Sequence, residues 1–227
     1  MADDYLGRKM EEYRARSAAA PPHRRKPSAA LDSLLQKNRS HRGYDTGFAV
    51  REDQLRTIIS VNAKIPSARN QQVLRFRPVL ADEAHKVLPH IRLGAALPQL
   101  HLPAPDSAPN AFIVVCSTIG ENRYVDMDTG ISAQSMLLKA AEIGLNGICI
   151  GAFDKKRIAE ALGLELEPIL VLAIGKGIEK IETVPIEAGE STVYYRRDGV
   201  HYVPKIRPED LTIPKSRTAD SRPEPLE

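Results

Sequence analysis

Apolar positions along the chain repeat with two different periods, and the changes of period mark the elements. Leu31, Leu34 and Leu35, then Leu55, Ile58, Ile59 and Ile65, fall at helical spacing and predict helices over LDSLLQKNR and over residues 51–65. RFRPVLA (75–81) alternates as a strand does, with Pro78 holding it to a sheet edge or a bulge. AFIVVCS (111–117) and PILVLAIGKG (168–177) are unbroken apolar, β-branched runs, the pattern of strands covered on both faces. NGICIGAF (146–153) predicts a shorter strand, ADEAHKVLPHI a short helix, and LPQLHLPAPDSAPN a proline-rich loop.

The stretch 126–145 is the most apolar helix candidate, stopped by Gly144, with nearly everything past Gly130 apolar or small. Such a helix has to be covered on most faces, by the rest of the domain alone or together with a second subunit. DKKRIAEALGL (154–164) predicts a helix with Asp154 as N-cap and Gly163 just past its end. The closing segment carries a hairpin signal at Arg197-Asp198-Gly199 and then runs on extended and punctuated by prolines. Residues 1–30 read as an arm, a short helix broken at PPHRRKP; the main domain is expected over 31–204 and a tail over 205–227.

Composition changes this picture little. A chain of 227 residues suits one α/β-type domain with tails. The net charge of +3 lies entirely in the first thirty residues, and the remainder holds 25 cations and 25 acids. With no basic domain interleaved with aromatics, nucleic acid is not the expected partner. No apolar run is long enough to span a bilayer, and the first residues lack a secretory h-region, so a cytoplasmic protein is expected. Cys116 and Cys149 both sit in apolar runs and read as two buried thiols.

Familiar catalytic motifs are missing. The six histidines show no HExxH spacing, the cysteines no CxxC, and there is neither a GxSxG elbow nor a GxGxxG after a strand. GKG at 175–177 lacks the rest of a P-loop. Three polar clusters remain: Arg39-Ser40-His41-Arg42, Pro66-Ser67-Ala68-Arg69-Asn70-Gln71-Gln72, and Lys205-Ile206-Arg207 with Lys215-Ser216-Arg217 beyond. Each alone has the composition of a solvated loop. Together they offer guanidinium and ammonium groups for a phosphate, and amides for a heterocycle edge that both donates and accepts. That inventory fits FMN better than a bare phosphate or carboxylate.

Residues 31–207 resemble the nitroreductase family of FMN-dependent NAD(P)H oxidoreductases. The resemblance is carried by NRSHRGYD, by PSARNQQVLRF, and by DTGISAQSMLLKAAEIGL leading into NGICIGAFD, in that order and followed by a buried strand and a basic C-terminal arm. It implies an α+β fold of three layers, a mixed central sheet flanked by helices, in an intertwined homodimer with the cofactor at the interface. By the same resemblance Arg39, Ser40 and Arg42 would contact the flavin, with Arg42 toward the pyrimidine side. Ser67, Asn70 and Gln72 would meet the ring edge and ribityl chain, and Pro66 would shape the wall. Ile150 and Gly151 would lie near the reacting face, the Gly151 N–H toward N5, while Lys205 and Arg207 would reach the phosphate. No side chain is expected to act as acid or base.

The implied reaction is a ping-pong hydride transfer from NADH or NADPH through FMN to an electron-poor small molecule, a nitroaromatic or quinone, with Tyr124 and Phe153 lining the acceptor pocket. A flavin store or sensor without turnover, or an FMN-dependent dehydrogenase or enone reductase, would share these contacts. Three departures stand out: Asn38 replaces the first arginine of the family's pair, Val73-Leu74 replaces Pro-Trp, and Gly151 replaces an acidic residue beside N5.

Overall fold

A computed structural model describes residues 31–94 and 102–213. The N-terminal arm, the middle of the proline-rich loop and the Lys215-Ser216-Arg217 cluster lie outside the described residues. In chain order the α-helices are α1 (Leu31–Lys37), α2 (Glu52–Ile59), α3 (Arg123–Glu142) and α4 (Lys155–Leu162). The strands are β1 (Leu74–Val79), β2 (Ala111–Ser117), β3 (Asn146–Ile150), β4 (Glu167–Gly175), β5 (Lys180–Ile186), β6 (Tyr195–Arg197) and β7 (Val200–Ile206).

The first four strands form one sheet in the order β1-β2-β4-β3, every neighbouring pair antiparallel. A parallel element comes at its β3 edge, where Ser40 bridges to Gly147. β2 is buried at all seven positions, and its alternate residues enter two separate cores. Phe112, Val114 and Cys116 pack with Ile158 of α4, whereas Ile113 and Val115 pack with Leu55 and Ile58 of α2 and Met136 of α3. Helices thus cover both faces, giving the three-layer α+β arrangement. Pro78 lies in β1, an edge strand, as the sequence predicts for a proline within a sheet.

Several elements differ from the periodicity. The helix over 51–65 ends at Ile59, because Ser60 Oγ donates to the Thr57 carbonyl at 2.8 Å and Asn62 Nδ2 to the Ile59 carbonyl at 2.9 Å. Those local bonds tighten the chain into a 3₁₀ turn, Ser60–Ala63. ADEAHKVLPHI yields two 3₁₀ turns, Ala84–Lys86 and Leu88–His90, instead of a helix, since Pro89 cannot donate to a carbonyl four residues back. α3 begins three residues earlier than its apolar pattern, at an Asn122 side chain that accepts from Tyr124 N at 3.0 Å and Val125 N at 3.3 Å.

The segment after β4 is not a simple extended wrap. β5, β7 and β6 make a second sheet, with β5 parallel to β7 and β6 antiparallel to it. Asp198 and Gly199, both at positive φ (52° and 74°), form the tight turn joining β6 to β7. β5 escaped the pattern because none of its residues is buried and Pro185 interrupts its alternation.

At the other predicted boundary, Asp154 Oδ1 accepts from Arg157 N at 3.0 Å and Gly163 closes α4 at φ 62°. Asp154→Ala should therefore cost about 1 kcal/mol of unfolding free energy, read as a lower urea midpoint. An unchanged midpoint would mean that packing alone holds the start of α4.

Candidate functional site

The segment Asn38–Tyr44 runs along the β3 edge. His41 N donates to the Gly147 carbonyl at 3.3 Å, and the buried Tyr44 hydroxyl returns a bond to the His41 carbonyl at 2.9 Å. The close fit needs a glycine at 177, where a Cβ would lie 2.2 Å from His41 Nδ1. Arg39 folds back onto the end of α1, donating to the Gln36 carbonyl at 3.1 Å and the Leu35 carbonyl at 2.9 Å. Arg42 donates from Nη1 to the Ser40 carbonyl at 3.0 Å, approaches His201 Nε2 at 3.4 Å, and lies over the Tyr194 ring at 4.7 Å.

These residues open onto a cavity of about 470 Å³, within the ~300–1,000 Å³ of small-molecule sites. Arg39, Ser40 and Arg42 meet Lys205 there, so the first and third polar clusters converge. Among the described residues, three cations line this cavity and no carboxylate does. Lys205 is exposed and has no ion-pair partner among the described residues. Arg207 is instead paired with Glu187 and does not line the cavity.

The second cluster lies elsewhere. Pro66, Ser67 and Gln72 line a cavity of about 320 Å³ with Asp128 and Ser132. Arg69, Asn70 and Gln72 all take positive φ (53°, 52° and 47°), a conformation costing roughly 1–3 kcal/mol each for such residues. The buried Asp128 staples this turn to α3, accepting from Ala68 N at 2.7 Å and Gln71 Nε2 at 3.0 Å. Ser67 Oγ accepts from Gln72 N at 3.2 Å, and Gln72 Nε2 donates to Asn70 Oδ1 at 3.0 Å.

The two cavities share no lining residue, and α3 separates them. At ~100° per residue, Asp128 and Ser132 face one side of α3, while Gln134 and Leu137 of the larger cavity face nearly the opposite one. Between those sides runs an apolar stripe open to solvent: Tyr124, Met127 (50% exposed) and Ile131 (37%). Tyr124 is overlaid by the Arg69 guanidinium at 4.9 Å. Phe153 sits apart, partly buried against the α4 core and lining a third cavity with His90, Arg92 and Asp154. The Ile150 side chain is buried in that same core, and Gly151 is exposed with open space where a Cβ would stand.

Four contributors were invisible to motif reading: Glu179, Tyr194 and His201 from beyond β4, and Cys149. Contrary to the expectation of two buried thiols, Cys149 is exposed and lines the larger cavity, because strand alternation sends Ile148 and Ile150 to the α4 face and Cys149 to the other. Burial by its surroundings still pushes its thiol pKa up, and pushes the buried Cys116 to about 11. Glu179 accepts at Oε2 from Arg42 N and from Gly43 N, the latter at 3.1 Å, and pairs at Oε1 with Arg196. Only alternation in VHYVPKI marks His201 as inward-facing.

The sequence profile described as the nitroreductase family matches residues 35–176. A nitroreductase-like protein of Methanocaldococcus jannaschii is 39% identical over 57 residues, which span 25% of this chain and 29% of that one. Among solved structures, a nitroreductase family protein from Streptococcus pneumoniae TIGR4 superposes with a TM-score of 0.56 at 19% identity, covering 67% of this chain and 93% of that one. A nitroreductase-like protein from Exiguobacterium sibiricum 255-15, solved in complex with FMN, gives 0.55 at 19% identity over 68% and 91%. At such identities the likeness speaks for the fold.

Burial holds His41 and His201 below their ordinary value of 6.5, outweighing the nearby Glu179 carboxylate, and Arg42 lowers both further. An unfolded chain protonates these rings near 6.5 while the folded one keeps them neutral, so their contribution is complete above that pH and is lost as pH falls through the depressed folded values. The urea midpoint should decline as pH falls below about 6.5, and His201→Gln should make the decline shallower. An identical profile for that variant would remove His201 as a source of the pH dependence.

Proposed function

The chain belongs to the nitroreductase family, and from that premise we propose that it is an FMN-dependent oxidoreductase working as a homodimer with its cofactor at the subunit interface. The observation that carries this reading is the larger cavity, ringed by Arg39, Arg42 and Lys205 with no carboxylate among the described residues, and partly floored by Leu35, Leu137 and Val203. Cations and apolar wall together suit a phosphorylated, flat heterocycle better than a free anion. Bound FMN supplies the redox chemistry, taking a hydride from NADH or NADPH and passing electrons on to an electron-poor acceptor such as a nitroaromatic or quinone.

The protein's part is to hold and orient. Lys205 serves the phosphate, with Arg39 near it; Arg207 is already committed to Glu187 and contributes less. Arg42 provides positive charge beside the ring, where it favours the anionic reduced form. Ser67, Asn70 and Gln72 cannot reach the same cofactor within one protomer, since α3 stands between the cavities. A second copy docked on the Tyr124, Met127 and Ile131 stripe brings its Ser67–Gln72 turn to the cation cavity and covers the apolar face in the same act. Tyr124 then stands at the interface as a wall for the acceptor, and Gly151, with no side chain, leaves its N–H approachable.

Purified protein incubated with FMN and desalted should retain about one flavin per chain, bleached anaerobically by NADH or NADPH, and Arg42→Ala should weaken binding roughly tenfold through the lost charge-assisted contact. A folded wild-type protein that retains no flavin would overturn the proposal. Replacing Met127 and Ile131 together by Asp should give a monomer by light scattering that no longer holds FMN, because like charges would face each other across the interface. A wild-type monomer that binds FMN fully would overturn the shared site.

A further inference from the structure

The family match ends at residue 176, yet the second sheet beyond it supplies Ile181, His201, Val203 and Lys205 to the cavity, and the loop before β6 supplies Tyr194. One residue that docks this region onto the Arg39–Arg42 segment is Glu179, just before β5, whose side chain is only 10% exposed. A buried carboxylate next to an arginine ordinarily pairs with the guanidinium. Glu179 does not pair with that of Arg42. One oxygen accepts from the backbone N–H groups of Arg42 and Gly43, and the other is held by the Arg196 guanidinium.

Among the described residues the Arg42 side chain meets neutral groups in consequence: the Ser40 carbonyl, the His201 ring and the Tyr194 face. Its Nε is buried with no hydrogen-bond partner. The other groups facing Glu179 are His41, 4.0 Å away and kept neutral by burial, and His201. So Glu179 fixes the backbone of Arg42 while Arg196 keeps that carboxylate from neutralising the Arg42 side chain.

We propose that Glu179 and Arg196 are positioning residues that present Arg42 to the cavity with its charge uncompensated, and thereby set how much more tightly the site holds reduced than oxidised flavin. This rests on the FMN reading above. Two substitutions should act with opposite sign. Glu179→Gln removes a negative charge beside Arg42 while keeping a carbonyl oxygen for the backbone N–H groups, and favours the anionic reduced flavin. Arg196→Met frees a carboxylate oxygen to turn toward Arg42, and disfavours it.

The experiment measures dissociation constants for oxidised and reduced FMN, with the midpoint potential of bound flavin, in wild type, Glu179→Gln, Arg196→Met and Arg196→Lys. Thermal melting without flavin checks that each variant is folded. The ratio of the two constants should move about tenfold in opposite directions for Glu179→Gln and Arg196→Met, up and down by about 30 mV for a two-electron couple, and Arg196→Lys should restore it. If both variants merely weaken binding of the two oxidation states alike, or shift the potential in the same direction, the pair is structural and the inference is overturned, with the flavin site left standing. If folded wild-type protein binds no FMN, both readings fall.

Discussion

Burial of β2 on both faces, from Ala111 through Ser117, is the constraint from which the rest of the molecule follows. Neighbouring β4 is buried from Val171 to Gly175, so the middle of the main sheet has no wet side on which a polar group could work. An uncompensated charge there would cost several kcal/mol. Polar chemistry is therefore displaced to the sheet's edges and to the segments joining its helices. Arg39 to Arg42 lie along the β3 edge, Ser67 to Gln72 sit between α2 and β1, and Lys205 arrives from a second sheet. Each is pinned to the framework by one or two specific bonds: Ser40 to Gly147, Asp128 to Ala68, Glu179 to Arg42 and Gly43.

α3 is the second organising element. It fills the core on one side with Ala133, Met136 and Ala140, holds a buried carboxylate at Asp128, and leaves an apolar stripe at Met127 and Ile131. A helix so weakly amphipathic is stable only when other surfaces cover it. The same helix sets the two cavities back to back, so within one chain the Ser67–Gln72 turn and the Arg39–Arg42 segment stay apart.

Much of this was legible in the chain, and the parts that were not share a cause. β2, β4 and α4 were readable because burial on both faces or sharp capping residues write themselves into local sequence: AFIVVCS, PILVLAIG, Asp154 and Gly163. The helix expected through Ile65 failed at Ser60 and Asn62, whose side chains compete for backbone carbonyls in a way that apolar spacing does not register. Cluster residues could be named, but not which would meet. Lys205 joins Arg42 through a parallel pairing of β5 with β7, a long-range contact with no local signature. Glu179 lies just before β5 and His201 in β7, with no local motif to distinguish them, and only their tertiary position gives them partners.

The division of the cavity between early and late chain has a bearing on how the protein is made. Synthesis delivers residues in order, and domains begin to fold as they emerge. The main sheet can close once β4 at Glu167–Gly175 has appeared, with Ser40 able to bridge to Gly147 at its edge. At that moment the guanidinium of Arg42 lacks the Tyr194 face, and its backbone lacks the Glu179 carboxylate. Ile181, Tyr194, His201, Val203 and Lys205 are the last of the cavity's lining to be made, so its ring of cations is complete only after the scaffold that carries Arg39 and Arg42.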